Sequence, residues 1–469
     1  MILNPYRFAA GTAVPAPLHW WNLTDLKLGL WDYGSGEFGK LATSSAGVTV
    51  ETDQPDGAGD CIEFDNSGTP DGYVTTLTDQ AWDGAGNDIS ISCWIAFPTG
   101  STYINKPFFS WYNSSPDDRL VVMNVAAANN AWLAKFFDTG TNSASAIDPA
   151  EDPAADGTWY HVVATYNGTT DTASLYVDDT FIDSTTDALM GALEDQPMPL
   201  AIGARADAPT TTGIDARMFS LSIYDKVLDA DERSALYNSG NGGTYADFFG
   251  ATPAIGTNPT TTDLFAWWKL EDVNDAHGSN TLTNNGTTTF TAGYNDNAAT
   301  FNGSSQYLSD TAQSVYPTGA QTWACWVKVS ADVNADIMSW FGDSGNRAIN
   351  VVYQATTDTI NVNISGNGST LVSKAANATV ALDGWLHVAV VYVPSTSLTI
   401  YINGIQSAQE TSSIPSSLHN ASADFLIGAR DTSTVSRYLD GQVDDACIFS
   451  KALSAEEVKW LVANTYSDF

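Results

Sequence analysis

Carboxylates, imidazoles and aromatic–amide clusters are the groups in this 469-residue chain whose type and spacing could do chemistry. Glu51-Thr-Asp-Gln-Pro-Asp56 sets Glu51 and Asp53 two residues apart, hence on one face of a strand. Retaining hydrolysis of a glycosidic bond needs an acid and a nucleophile about 5 Å apart on the same side of that bond. Here the third carboxylate is Asp56, Pro55 breaks the strand, and no second copy exists. No catalytic residue is assigned, and the chain is read as non-enzymatic. His161 and His387 each follow a Trp by two positions. With no Ser, Cys or acid clearly placed beside them, they are read as structural imidazoles. Trp111, Tyr112 and Asn113, and Trp340, Phe341 and Asp343, run directly into loops. A ring there stacks on the apolar face of a sugar, while amides and carboxylates read its hydroxyls. Trp111, Tyr112, Asn113, Trp340 and Asp343 are therefore the candidate ligand-binding residues. The competing reading makes most of the 15 Trp core aromatics, above all Trp94 and Trp326.

The elements that position these groups come in two copies. Trp20-Trp21-Asn22-Leu23 recurs as Trp267-Trp268-Lys269-Leu270, and Ile91-Ser-Cys-Trp94 as Trp323-Ala-Cys-Trp326. Trp159-Tyr-His-Val-Val163 recurs as Trp385-Leu-His-Val-Ala389, Tyr176-Val-Asp-Asp179 as Tyr401-Ile-Asn-Gly404, and Ile202-Gly-Ala-Arg205 as Ile427-Gly-Ala-Arg430. The offset is 225 residues at Gly203/Gly428, 226 at His161/His387, 232 at Cys93/Cys325 and 247 at Trp20/Trp267. Order is kept and the drift is gradual, as for loop insertions between fixed strands. This is a domain duplication. The boundaries expected are an N-terminal arm over 1–16, a first domain over 17–250, a Pro/Gly/Thr-rich linker over 251–262 and a second domain over 263–469.

Short runs rich in β-branched and aromatic residues alternate with turn signals, as in His161–Tyr166, Asn167-Gly-Thr-Thr-Asp171 and Ser174–Val177. That pattern predicts an all-β sandwich. Asp229…Glu232 and Ser454…Glu457 have capping-box spacing and predict one short helix near the end of each domain.

The chain carries 18 Lys+Arg against 54 Asp+Glu, a net charge of −36. Such a polyanion repels nucleic acid and anionic lipid, so neither is an expected partner. No apolar stretch of about 18 residues exists to insert in a membrane, and the first residues lack the pattern of a secretory signal. Cys61, Cys93, Cys325 and Cys447 fit no zinc spacing and are read as buried thiols.

Together these motifs resemble the laminin-G-like branch of the concanavalin A-like lectin/glucanase superfamily. The second copy carries the pattern throughout: Phe301-Asn-Gly-Ser-Ser-Gln-Tyr307, Cys325-Trp-Val-Lys328, Gly384-Trp-Leu-His-Val388, Tyr401-Ile-Asn-Gly404 and Leu439-Asp-Gly-Gln-Val-Asp-Asp445. The first copy follows it from Trp94 onward, with the last motif degraded to Ile214-Asp-Ala-Arg-Met-Phe-Ser220. The resemblance implies two tandem concanavalin A-like jelly-roll sandwiches, a fold that hosts lectins, adhesion modules and glycosidases. It implies a structural calcium ion at Asp440, Asp444 and Asp445, with Asp215 as the first-copy counterpart of Asp440. Glucanases of the superfamily carry Glu-x-Asp-x-x-Glu, from which Glu51–Asp56 departs at its last position. Acidic Ser/Thr/Asn-rich composition and tandem modules also resemble virion proteins of tailed bacteriophages. The function this implies is a virion-surface protein that binds host glycan or decorates a particle, as a homo-oligomer touching other virion proteins through the N-terminal arm. The alternatives are an extracellular adhesin or carbohydrate-binding module, and a glycosidase of the same fold.

Overall fold

The computed structural model describes residues 14–23, 32, 42–43, 48–55, 59–65, 72–76, 82, 87–113, 118–126, 130–140, 142–148, 153–209, 211–249, 255–310, 316–380 and 382–469. It divides into two compact units, Met1–Pro253 and Ala254–Phe469. Most of the expected arm, residues 1–13, lies outside the described residues, as do 251–254 of the linker and Asp56.

Each unit is a sandwich of an eight-stranded and a seven-stranded antiparallel sheet, the all-β sandwich that the strand pattern predicted and the jelly-roll architecture that the resemblance implied. In the first unit the eight-stranded sheet runs Thr180–Thr186, Thr172–Val177, Trp159–Asn167, Ile89–Ala96, Ala216–Tyr224, Asp60–Phe64, Val48–Thr52, with His19–Trp21 also pairing to Ala216–Tyr224. The facing sheet runs Ser143–Ile147, Ala131–Phe137, Asp118–Ala126, Pro107–Asn113, Leu200–Ile202, Val74–Thr75, Ala42–Thr43. The second unit repeats both orders. Its eight-stranded sheet centres on Asp440–Phe449, Gln321–Val329 and Trp385–Val393; its seven-stranded sheet centres on Phe425–Ile427, Ala335–Phe341, Arg347–Gln354 and Thr359–Ile364. Between the first unit's sheets lie Trp21, Phe64, Cys93, Phe109, Trp111, Val121 and Phe136, all buried.

The duplicated motifs set the turns. Asp178 and Asp179 have φ of 50° and 61°, Asn403 and Gly404 of 48° and 85°. Two successive positive-φ residues make the two-residue hairpin turn whose twist matches the flanking strands. The side-chain oxygen of each first residue then accepts the backbone N–H of the histidine on the neighbouring strand, 2.8 Å at Asp178–His161 and at Asn403–His387. Gly203 and Gly428 both have φ of 84°, and a Cβ there would sit 2.6 Å from the Phe64 ring and 2.8 Å from the Phe301 ring. Only glycine combines that backbone with that approach.

Both expected helices form, over Ala230–Tyr237 and Ala455–Ala463, each with a complete capping box. The second lays Val458, Trp460 and Leu461 on the outer face of its eight-stranded sheet, beside Trp267 and Cys447. Both units continue into a further aromatic turn. Phe249 meets Trp20 edge-on at 5.9 Å between centroids, and Phe469 meets Trp267 at 5.5 Å. The described end of the expected linker is not a loose tether. The N–H of Thr257 donates to the Glu456 carbonyl at 2.9 Å, and Gly256 fits against the backbone of Trp460 with no space for a Cβ.

Candidate functional site

On the seven-stranded sheet of the first unit the strand Pro107–Asn113 pairs with Asp118–Ala126, with a register shift between Trp111 and Tyr112. Trp111, Leu120 and Val121 point into the core. Alternation from Trp111 turns Tyr112 to the outer face, and the extra residue Leu120 on the partner strand brings Arg119 out beside it, the kind of re-aiming that bulges perform. The Arg119 guanidinium stands 5.1 Å from the Tyr112 ring centroid and 5.4 Å from that of Phe137. Arg205 covers Tyr112 at 5.5 Å, and Lys135 lies 5.1 Å from Phe137. Cation and ring thus alternate across three strands and the loop after Leu200–Ile202: Arg205, Tyr112, Arg119, Phe137, Lys135. The hydroxyl residues Ser143 and Ser145 extend the face, in register with Phe137 and Lys135. Arg205 pairs with Asp207, while Lys135 has no ion-pair partner among the described residues.

The second unit copies half of this row. The same register shift falls between Trp340 and Phe341, and Phe341 lies under Arg347 at 5.5 Å and Arg430 at 5.0 Å. The strand register puts Asn363 and Ser365 where the first unit has Lys135 and Phe137. Arg430 is tied to buried Asp336, 3.1 Å from its Oδ2, and Asn350 donates to Asp336 Oδ1. Desolvation of Asp336 pushes its carboxyl above the usual range, opposed by Arg430. From Asn350 an amide–hydroxyl chain continues through Asn363 to Ser373. This face is polar, and its Arg430 is paired with Asp336.

A second feature lies on the other sheet of the second unit. Asp444 pairs with Trp326, and Asp445 is the extra residue of a bulge, with φ of 45°. The Tyr294 ring stacks on Trp326, centroids 3.5 Å apart and planes 15° from parallel. Asp444 Oδ2 accepts the N–H groups of Tyr294 and Asn295, each at 2.8 Å, whereas its buried Oδ1 has no hydrogen-bond partner. Burial, reinforced by the charge of Asp445, pushes the Asp444 carboxyl up to about 8. Asp445 accepts Trp267 Nε1–H at 2.7 Å and the Asn295 amide at 2.5 Å. In the first unit Phe219 and Ser220 occupy these positions, with Ser220 also at positive φ, 55°. Asn22 there takes over as acceptor for Trp20 Nε1, at 3.1 Å.

Of the second unit's three aspartates expected to hold calcium, Asp444 and Asp445 share one corner and Asp440 stands apart from it. Asp440 precedes Asp444 by four strand residues, about 13 Å, far beyond the 2.3–2.6 Å or so of calcium–oxygen contacts. Asp215 instead pins a loop, its Oδ2 accepting the N–H of Thr102 at 2.6 Å. Among the described residues no three His, Cys, Asp or Glu side chains are placed to share a metal.

The ligand-binding expectation needs a similar correction. Trp111 and Trp340 are 0% and 2% exposed; alternation on their strands buries them and turns the next residues, Tyr112 and Phe341, the other way. Tyr112, one residue on, is the half-buried outer ring. Asp343 fastens a loop by accepting the N–H of Ser433 at 2.9 Å. The side chain of Asn113 lies outside the described residues. Arg119, Lys135, Phe137, Arg205, Arg347 and Arg430 were missed. The repeated Ile-Gly-Ala-Arg motif and the scarcity of cations were the signals that pointed to them.

The possible catalytic groups are engaged elsewhere. Asp53 is 2.7 Å from Arg217 at the end of an edge strand. His161 does have a serine beside it: Ser92 Oγ lies 2.8 Å from its Nε2. Both are buried, no partner is found for Nδ1, and burial pulls the imidazole down to about 3. A serine–histidine pair without an orienting carboxylate or solvent access lacks what acyl transfer requires. The second unit has Ala324 in place of the serine. His161 and Trp94 instead pack under Tyr237, the Trp94 and Tyr237 planes 8° from parallel. Trp94 and Trp326 are thus buried on the outer face of a sheet, not between sheets.

A laminin-G-type family model, described as the concanavalin A-like lectin/glucanases superfamily, matches residues 66–232 and 301–459. No curated protein matches the sequence. Similar solved structures include the receptor-binding domain of botulinum neurotoxin C/D mosaic serotype, at 14% identity and a TM-score of 0.36, covering 43% of this chain and 51% of that one. Domain 4 of an extracellular arabinanase from Geobacillus stearothermophilus, in complex with arabinotriose, is similar at 18% identity and 0.35, covering 43% and 98%. Domains LG4-5 of mouse laminin alpha1 are similar at 11% identity and 0.25, covering 81% and 88%. The chain spans about half the length of the neurotoxin domain.

Proposed function

The chain belongs to the concanavalin A-like lectin/glucanase superfamily, and on that premise we propose that it is a non-enzymatic protein that binds glycan or a glycosylated receptor. The observation that carries this reading is the outward-turned ring of Tyr112 between Arg119 and Arg205. A half-buried ring offers an apolar face to a sugar, and each guanidinium keeps N–H groups in its own plane for oxygens while stacked. The nearest approach to a glycosidase pair supports the same reading, since Asp53 is spent on Arg217. The test is a glycan array probed with the full chain, followed by analysis of bound sugars for cleavage. Binding without products supports the reading; turnover that disappears in Glu51→Gln or Asp53→Asn would replace it with a glycosidase.

We place the protein on a bacteriophage virion surface, as a homo-oligomer that contacts other virion proteins through residues 1–16. The net charge of −36 and the tandem modules support this, and no described helix is long and apolar enough to cross a membrane. Proteomics of purified particles and light scattering of the isolated chain test it; an extracellular adhesin or carbohydrate-binding module would be absent from particles. Calcium is proposed only for the Asp444–Asp445 corner, supported by the unpartnered Asp444 Oδ1. A rise in the second unit's Tm with calcium, absent in Asp444→Asn, is the expected sign; no rise removes calcium from the account.

A further inference from the structure

We propose that the outer face of the first unit's seven-stranded sheet takes an acidic glycan, one whose sugar rings carry carboxylate or sulfate groups, and that the second unit's face does not. The inference rests on the glycan-binding reading above and names its ligand class.

Three observations support it. First, Arg205, Arg119 and Lys135 gather on one sheet face of a chain with only 18 basic residues against 54 acidic ones. A chance surface of this protein would be negative. Second, the cations are interleaved with rings. Neighbouring strands lie about 4.8 Å apart, so the three strands carrying Tyr112, Arg119 and Phe137 span about 10 Å, with Arg205 beyond Tyr112, the reach of a short oligosaccharide. Tyr112 and Phe137 offer apolar stacking faces, and Ser143 and Ser145 offer hydroxyl partners. A guanidinium on an aromatic face still presents its fork to a carboxylate or sulfate oxygen.

Third, the duplication supplies an internal comparison. The second unit keeps the Arg–Phe341–Arg half but has Ser365 and Asn363 where the first has Phe137 and Lys135. Its Arg430 is neutralised by buried Asp336. Arg205 and Arg430 each have a carboxylate partner, Asp207 and Asp336, so what sets the first copy apart is the added cation and ring of Lys135 and Phe137. Nucleic acid and anionic vesicles share the charge but not the ligand's ring-and-hydroxyl chemistry, and the net charge of −36 opposes extended polyanions.

The test measures binding of the full chain to an oligogalacturonate, a sulfated galactan oligosaccharide and a neutral galactan oligosaccharide. Single-stranded DNA and phosphatidylserine vesicles serve as further probes. Lys135→Gln and Phe137→Ala probe the row. Lys374→Gln, with the same charge change at a site outside it, controls for net charge, and near-UV circular dichroism checks folding. The expected result is at least tenfold tighter binding of one acidic oligosaccharide than of the neutral one. That binding weakens about tenfold in Lys135→Gln, weakens with added salt, and is unchanged in Lys374→Gln. Preference for the uronate or for the sulfate decides which anion is read. Neutral and acidic sugars bound equally, or Lys135→Gln without effect, would overturn the inference while leaving glycan binding intact. Binding of DNA or vesicles in preference to every sugar would overturn it in favour of another polyanion. No binding to any sugar would remove the function it rests on.

Discussion

The guanidinium of Arg119 stands 5.1 Å from the ring centroid of Tyr112, on adjacent strands that meet at a bulge. Arg347 and Phe341 repeat the relationship at 5.5 Å. The two copies differ in how much covers the ring: Phe341 is only 3% exposed, whereas Tyr112 is half-buried. Phe341→Ala should therefore destabilise the second unit by about 3 kcal/mol. Tyr112→Ala should cost the first unit clearly less. Denaturant unfolding of each variant, followed by tryptophan fluorescence, checks the ordering; a larger loss at Tyr112 would show that ring to be structural rather than available to a ligand.

Gly203 and Gly428 hold the corner from which Arg205 and Arg430 reach back over their rings. Alanine at either position meets a phenylalanine ring and a left-handed backbone together. Each substitution should cost roughly 2–4 kcal/mol from overpacking and backbone strain combined. Calorimetry should show Gly203→Ala lowering the first transition alone and Gly428→Ala the second alone.

Asp444 makes the second unit's stability depend on pH. Its carboxyl moves from an ordinary value of 3.8 to about 8 on folding, so the folded state holds a proton that the unfolded state releases. The contribution is fully present below about pH 4 and is lost as pH rises through about 8. Asp444→Asn keeps an oxygen for the Tyr294 and Asn295 N–H groups and removes the charge. It should raise the second unit's Tm at pH 8, by roughly 2–4 °C per kcal/mol gained, and flatten the pH profile. A profile as steep as that of the parent protein would place the titration elsewhere.

The four cysteines are free and buried. Burial pushes Cys61 up to about 12 and the others higher. Reaction needs the thiolate, so a thiol-reactive chromophore should label none of them in the native protein and all four in denaturant. Fast native labelling of any one would contradict its burial.

The fold was legible because the duplication repeats what strands and turns require: positive-φ pairs after Tyr176 and Tyr401, glycine at 203 and 428, and capping boxes at Asp229 and Ser454. Each is local, so spacing along the chain reveals it. The site was less legible. The extra residues Leu120 and Ala348 on the partner strands decide that Arg119 and Arg347 face out beside Tyr112 and Phe341, and a bulge has no reliable sequence signature. Arg119 and Lys135 come together only through strand pairing, from segments with no shared motif. For a related reason Asp440 does not join Asp444 and Asp445: though close in sequence, they are held apart by the extended strand between them. The Ser92–His161 contact was equally invisible, because its partners lie on neighbouring strands 69 positions apart.

The most direct measurement is calorimetric titration of the full chain and of Tyr112→Ala with the best-binding array sugar, with chromatography of that sugar before and after prolonged incubation. The account predicts saturable binding by the parent chain, its loss in a folded Tyr112→Ala, and a sugar recovered intact. Undiminished binding in Tyr112→Ala would move the site off this sheet, and cleaved sugar would make the protein an enzyme.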